Sequence, residues 1–378
     1  MHRVLDLLNH NPVVAILGAR QVGKTTLAVE IADRYDGSRH RFDLENPDDL
    51  ARLQEPMLAL RPLSGLIVLD EIQRRPELFP VLRVLVDSRD HDARFLILGS
   101  ASPDLIRQSS ESLAGRIIYH ELTGFDLDEV GRDKADLLWL QGGFPRSFLA
   151  PDTSVSFAWR RAFIQTFLER DIPNLGISIP PVTLHRFWQM LAHYHGQIWN
   201  GAEIARAFGI SAPTVRRYLD ILTGALVIRQ VQPWFENISK RQVKAPKIYL
   251  ADTGLLHTLL GIETRSDLQG HPKVGASWEG LVRQEIIRRL GARPEEVFFW
   301  ATHAGAELDL LVIRGQRRLG FKIKRTTTPS RNRSQYSARS TLDLDSLDIV
   351  HAGDSTFPLG DDMRAVAFDR LSEDLEPL

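Results

Sequence analysis

Between residues 12 and 123 short apolar runs, VVAILG, GLIVLDE and RFLILGSAS, alternate with stretches in which apolar positions recur at helical spacing. Runs of this length without polar interruption predict strands buried on both faces, and the periodic stretches between them predict crossover helices. The pattern is that of a parallel sheet. From 124 to 180 the period is helical, interrupted at QGGFPRS and ending at FLERDIPNL. Residues 181–262 read as short helices followed by strand-like segments. From about 272 a helix, SWEGLVRQEIIRRLG, precedes the strands EVFFWA, ELDLLVI and RLGFKIK. Four zones follow, at 1–123, 124–180, 181–262 and 263–378, and the fold class expected is a multidomain α/β protein.

Composition changes this picture little. The 378 residues are enough for two to four domains, and 47 Lys plus Arg against 48 Asp plus Glu leave no bulk attraction to a polyanion. Contact with nucleic acid therefore has to be local. The absence of cysteine excludes disulfides, thiolate metal sites and cysteine nucleophiles, and suits a reducing cytoplasm. MHRVLDLLNHNPVV has too short an apolar run for a signal peptide, and no stretch approaches a membrane span, so the expectation is a cytoplasmic protein without membrane contact.

The stretch GARQVGKTT fits G-x-x-x-x-G-K-[ST] between a predicted strand and a predicted helix. Gly18 and Gly23 let the backbone curl so that the N–H groups of Ala19, Arg20, Gln21, Val22, Gly23, Lys24, Thr25 and Thr26 can surround phosphate oxygens, with the helix N-terminus adding its dipole. Lys24 is expected on the β- and γ-phosphates and Thr25 on Mg²⁺. GLIVLDE places Asp70 at a strand end, where it can reach the Mg²⁺ shell, and Glu71 beside it, where it can act as the base that orients water. An adjacent acid favours hydrolysis over transfer. Ser100 and Ser102 end a third strand, facing the ligand crevice, where Ser100 can bind the γ-phosphate or the water; serine there is also an ordinary turn former. Arg116, in SLAGR, is a candidate arginine finger, supplied within the chain or to a neighbour in a homo-oligomer, or else a plain surface arginine.

With NPVVAILGARQVGKTT, LIVLDEIQRRPELFPVLRVL, FLILGSAS, SLAGR, QGGFPRSF and FLERDI, the chain resembles prokaryotic AAA-type P-loop ATPases carrying an uncharacterised C-terminal domain, over nearly its whole length. The resemblance implies an ATP-hydrolysing core at 1–123 and a helical lid or linker at 124–180.

In the third zone Asn200 and Glu203 fit a capping box opening AEIARAF, Gly209 breaks that helix, and Ser211 caps the next, whose Val215, Leu219 and Leu222 share a face. This is helix-turn-helix spacing followed by strands for a wing, which predicts a winged helix at 181–262. Thr214, Arg216 and Arg217 lie early on the second helix, and Lys240, Arg241, Lys244 and Lys247 cluster in the wing, so duplex DNA is a candidate partner; packing against another domain or protein is the alternative. His185, His193 and His195 lack ligand spacing and read as packing or capping groups.

The last zone resembles a PD-(D/E)XK nuclease fold on a helix with Glu279, a strand with Glu307 and Asp309 on one face, and a strand with Lys322 and Lys324. Lys322 stands where an active member has Asp or Glu, which removes an oxygen ligand and adds a positive charge. The zone at 263–378 is therefore expected to be degenerate, and its basic run of Lys322, Lys324, Arg325, Arg331 and Arg333 is either a phosphate-holding surface or a solvated face. Taken together, the sequence predicts a Mg²⁺-dependent ATPase associated with DNA; the alternatives are an ATP-driven switch acting on a protein partner, and an active nuclease.

Overall fold

Val13–Gly18 forms strand β1, and all six of its residues are buried. The cause is a five-stranded parallel sheet with the order β2-β3-β4-β1-β5, made of β1, β2 (Arg39–Asp43), β3 (Leu66–Asp70), β4 (Arg94–Ser100) and β5 (Ile117–Glu121). Alternate residues of β1 enter different cores. Val13, Ala15 and Leu17 join Phe42, Ile67, Leu69 and the face of helix α3 (Leu78–Asp87) that carries Phe79 and Leu82. Val14 and Ile16 join Val68, Leu96 and Leu98 under α1 (His2–His10) and α2 (Lys24–Arg34). Two apolar faces explain the unbroken apolar runs.

This computed structural model describes residues 1–378 except 101–108, 110, 175, 236–242 and 361–362. They divide into two compact units, one of residues 1–124 with 224–226, the other of 125–223 with 227–378.

The second unit contains α4 (Thr153–Thr166), which Asp152 caps by accepting from the Val155 N–H at 2.8 Å. Next come α5 (Pro181–His193), β6 (Gln197–Ile198), α6 (Gly201–Phe208), α7 (Ala212–Gly224), β7 (Ile228–Pro233) and β8 (Lys247–Leu250). Asn200 accepts from the Glu203 N–H and Ser211 from the Thr214 N–H, so both short helices start where their capping residues stand. Helix α8 (Val274–Leu290) is followed by β9 (Val297–Ala301), β10 (Glu307–Arg314), β11 (Arg317–Lys324), helix α9 (Arg333–Leu342), β12 (Ser346–His351), β13 (Phe357–Gly360) and β14 (Met363–Ala367). β9, β10 and β11 run antiparallel to one another in succession, and β12 returns parallel to β11.

One nine-stranded sheet, β13-β14-β12-β11-β10-β9-β7-β8-β6, crosses the expected boundary at 262. The junction is short and parallel, with Gln232 opposite Phe298 and Pro233 opposite Phe299. Among the described residues no helix is long and apolar enough to cross a membrane.

Gly18 ends β1 where the chain leaves the sheet. A Cβ there would stand 2.6 Å from the Leu122 carbonyl oxygen, a backbone atom with little freedom to move. Gly18→Ala is expected to lower the stability of the first unit by about 1–3 kcal/mol, as overpacking does. Urea unfolding followed by circular dichroism measures it, and an unchanged midpoint would show that the loop yields instead.

Candidate functional site

The carboxyl ends of the parallel strands bring the first group of side chains together. Between β1 and α2 the loop turns through left-handed backbone at Gln21 (φ 62°) and Gly23 (φ 106°), and Val22 is buried beneath it. The Lys24 side chain is 5% exposed, and its Nζ donates to the carbonyls of Gly18 at 3.1 Å and Ala19 at 3.0 Å. Arg20 lies 3.8 Å from Glu45, which also pairs with Arg74. α2 opens at Lys24, so the first N–H groups of the helix, including those of Thr25 and Thr26, lack partners within the helix.

Asp70 is 3% exposed at the end of β3. Thr25 Oγ1 donates to its Oδ2 at 2.9 Å, and the Glu71 N–H donates to its Oδ1 at 3.0 Å. A hydroxyl and a carboxylate converging beside open helix N–H groups form a set that can hold a divalent cation together with a phosphate. Glu71 adopts a left-handed φ of 57°, which is uncommon for a residue with a side chain and is a form of strain found at functional sites. Gln73 Nε2 donates to its carboxylate. Burial raises the Glu71 carboxyl above its ordinary value of 4.5, while nearby Lys24 and the Gln73 bond act in the opposite direction. Ser100 is opposite Gly18 in the β1–β4 register, so it borders the loop; Ser102 lies outside the described residues.

Sequence reading missed Arg41. Its Nη2 lies 3.3 Å from Asp70 Oδ2, on the neighbouring strand β2, with the side chain 43% exposed. A charged residue on an edge strand carries no signal of this kind; only the β2–β3 register, Arg41 opposite Val68, reveals it. Arg116 is held elsewhere. Its Nε and Nη2 donate to Asp87 at 2.6 and 2.9 Å, beside Arg83, Glu111 and Ser112 in a surface depression.

A second group lies on the nine-stranded sheet. Lys322 Nζ donates to Glu307 Oε1 and to Asp309 Oδ1, both at 2.7 Å, and the Ile323 N–H donates to Asp309 Oδ2 at 2.7 Å. Lys247 corrects its sequence assignment. Expected in a basic wing, it is 4% exposed, because β8 turns it toward the same carboxylates: Glu279 at 3.6 Å, Glu307 at 4.0 Å and Asp309 at 4.0 Å. Tyr249, two residues on and therefore on the same face, donates to Glu279 at 2.5 Å. The Arg283 guanidinium lies 4.3 Å from the Tyr249 ring centroid. Burial alone would raise the Glu307 carboxyl, yet Lys247 and Lys322 hold it below its ordinary value. Burial alone would lower Lys322, yet Asp309 and Glu307 push it well above. Lys324, two residues along β11, is partly exposed. Among the described residues no group of three or more His, Asp or Glu is arranged to hold a metal ion.

On α7, Arg217 is exposed, Thr214 bonds Ser211, and Arg216 is tied to Asp220 at 3.1 Å. Lys244 is exposed, while Lys240 and Arg241 lie outside the described residues. His195, buried, accepts from the Leu250 N–H at 3.0 Å and has its pKa pushed down to about 3 by burial, so it is a neutral anchor for β8. His185 is partly buried and His193 exposed.

Three family patterns match in succession: an AAA domain at 10–131, a domain of unknown function (DUF8612) at 132–266 and another (DUF4143) at 274–371. The AAA match on a parallel sheet with this loop supports ATP binding and hydrolysis with a divalent cation in the first unit. Among solved structures, the chain is similar to the Thermotoga maritima RuvB Holliday junction branch migration motor at 18% identity, covering 61% of this chain and 89% of that one, with a TM-score of 0.31. It is also similar to the P-loop NTPase domain of the Sigma-54 transport activator from E. coli at 20% identity, covering 31% and 89%, with a TM-score of 0.24. Scores this low carry no argument about this chain. The uncharacterized proteins Mb2031c of Mycobacterium bovis and Rv2008c of Mycobacterium tuberculosis are each 53% identical over 369 residues, 98% of this chain and 83% of theirs. The chain thus belongs to the family of these mycobacterial proteins, and in it an AAA domain precedes two domains of unknown function.

Proposed function

We propose that the chain is a Mg²⁺-dependent ATPase whose nucleotide state controls a DNA-contacting winged helix and a non-cutting nuclease-like domain. The observation that carries the ATPase part is the 2.9 Å bond from Thr25 to Asp70 at the mouth of the phosphate loop. In this reading Thr25 and Asp70 would hold the Mg²⁺, which would supply charge neutralisation on the phosphates. Lys24 turns from its loop carbonyls to the β- and γ-phosphates, Glu71 orients and deprotonates water, and Ser100 steadies the γ-phosphate side of the crevice. Arg41, ion-paired to the same Asp70 oxygen, is a cation already placed where the metal would bind.

Support for the winged helix is the order α5–β6–α6–α7–β7–β8 with the sheet order β6-β8-β7, in which α7 presents Arg217 and the turn before β8 presents Lys244. Support for the nuclease-like reading is the succession α8, β9–β10–β11, α9, β12 with Glu279, Glu307 and Asp309 converging. Lysines in that cluster argue against cutting, because hard oxygen ligands must face a metal and here face ammonium groups. A second reading, a switch that acts on a protein partner, is favoured by one observation: Arg216 and Lys247, both expected on a basic surface, are engaged in ion pairs.

Glu71→Gln is expected to retain ATP binding and lose hydrolysis by about 10²-fold or more, the usual worth of a general base. Duplex DNA at low salt should raise the rate of the unaltered protein, and Arg217→Ala should weaken DNA binding and reduce the salt slope by about 1. Hydrolysis indifferent to DNA, with no salt-sensitive binding, would favour the protein switch. The pH profile tests Glu71 separately. Because burial raises its pKa and hydrolysis needs its ionised form, the acidic limb of kcat should lie above pH 4.5. Gln73→Leu removes a hydrogen bond that favours the ionised form and should move that limb further up; a limb that stays put would remove Glu71 from the role of base.

A further inference from the structure

Three carboxylates, from Glu279 on α8 and from Glu307 and Asp309 on β10, meet at one place, with Asp309 only 1% exposed. Asp309 and Glu279 are largely withdrawn from water while the Glu307 side chain is 44% exposed, and like charges brought together around a buried one repel strongly unless a cation is placed among them. Either a divalent ion or two monovalent cations can do this. The chain supplies the second solution itself, with the Lys322 Nζ at 2.7 Å from Glu307 and Asp309 and the Lys247 Nζ at 3.6 to 4.0 Å from all three.

We propose that this cluster is a cation site closed from within, in which the Lys247 and Lys322 ammonium groups occupy the position of a divalent ion and clasp strand β8 to the central sheet. The two lysines enter from different directions. Lys322 belongs to β11, next to β10, and completes the local charge balance. Lys247 belongs to β8, which in the sheet order is separated from β10 by β7 and β9. Its ammonium passes over the Phe299 ring, 5.5 Å from the centroid, on the way to the carboxylates. Tyr249 adds a second tie from the same strand to Glu279, and Asp309 is fixed by the Ile323 N–H. The parallel junction that carries β7–β8 against β9 is only two residue pairs long, so these polar ties supply a hold that the backbone ladder does not. Divalent cations are excluded because their position already holds two ammonium groups and both Asp309 oxygens, with one oxygen each of Glu307 and Glu279, already accept hydrogen bonds. The proposal stands apart from the ATPase reading and uses none of its residues.

The test uses the full chain, free of nucleotide, in an Asp70→Asn background that removes the carboxylate at the phosphate loop. Mn²⁺ binding is followed by electron paramagnetic resonance, and unfolding of the second unit by calorimetry in MnCl₂ and in EDTA. With both lysines present, no Mn²⁺ should bind below millimolar concentration and Tm should be the same in the two buffers. Lys247→Met with Lys322→Glu should bind Mn²⁺, with a Tm that Mn²⁺ raises by several degrees, since a ligand that binds only the folded state stabilises it. Adding Asp309→Asn should abolish both effects.

Mn²⁺ binding by the chain with both lysines, if Asp309→Asn removes it, would overturn the proposal. So would a folded double variant that binds none. If the double variant does not fold, Lys247→Met alone decides the clasp. It should lower Tm by roughly 5–10 °C, as breaking a buried ion pair does, and Glu279→Gln should restore part of that loss by removing a charge left uncompensated. An unchanged Tm in Lys247→Met would overturn the clasp.

Discussion

A carboxylate withdrawn from water must be answered where it stands, and the two sites of this chain differ in what answers it. Asp70 and Asp309 are both almost fully buried, and each ends or interrupts a strand in which its neighbours are apolar. At Asp70 the partners are a hydroxyl, a backbone N–H and a guanidinium that is 43% exposed. None of these has to be torn from the interior for a metal to approach. At Asp309 the partners are the Ile323 N–H and two lysines, 4% and 11% exposed, anchored by the carboxylates around them. Displacing either lysine would leave the buried carboxylates short of a compensating charge, which is far more costly than losing a surface pair. The same side-chain type is thus open to exchange in one unit and sealed in the other.

Exposure, more than charge, is what separates Arg41 from Lys247 and Lys322. A solvated guanidinium such as that of Arg41 contributes little when paired and loses little when released. Under the proposed function this makes Arg41 a placeholder that keeps Asp70 oriented between nucleotide-bound states. The left-handed backbone at Glu71 fits the same logic: the Glu71 N–H is turned back onto Asp70 Oδ1, which directs the Asp70 Oδ2 to Thr25.

The parallel sheet of the first unit was legible because its evidence is local. VVAILG, GLIVLDE and RFLILGSAS are consecutive residues, and the turn between β1 and α2 is fixed by glycines in the same short stretch. The capping residues Asn200 and Ser211 were legible for the same reason. Arg41 and Lys247 were not. Arg41 meets Asp70 through the pairing of β2 with β3, and Lys247 meets Glu279 and Asp309 through a sheet that runs from β8 by way of β7 and β9 to β10. Local charge counting therefore placed Lys247 with exposed Lys244 in an expected basic wing. Its burial is a property of register, and register between segments distant in sequence is set by packing.

That displacement of one lysine alters how the whole C-terminal half is best understood. A wing with Lys247 exposed would offer one more phosphate contact, and a nuclease-like cluster without it would face solvent with three carboxylates and one ammonium. Moving a single cation from the first setting to the second weakens an electrostatic claim for nucleic acid on one surface and closes a metal position on the other. Both changes follow from where β8 lies, paired to β7 and tied through Lys247 and Tyr249 to Glu279. Strand β8 and the carboxylate cluster are for this reason parts of one sheet, joined by side chains as well as by backbone pairing.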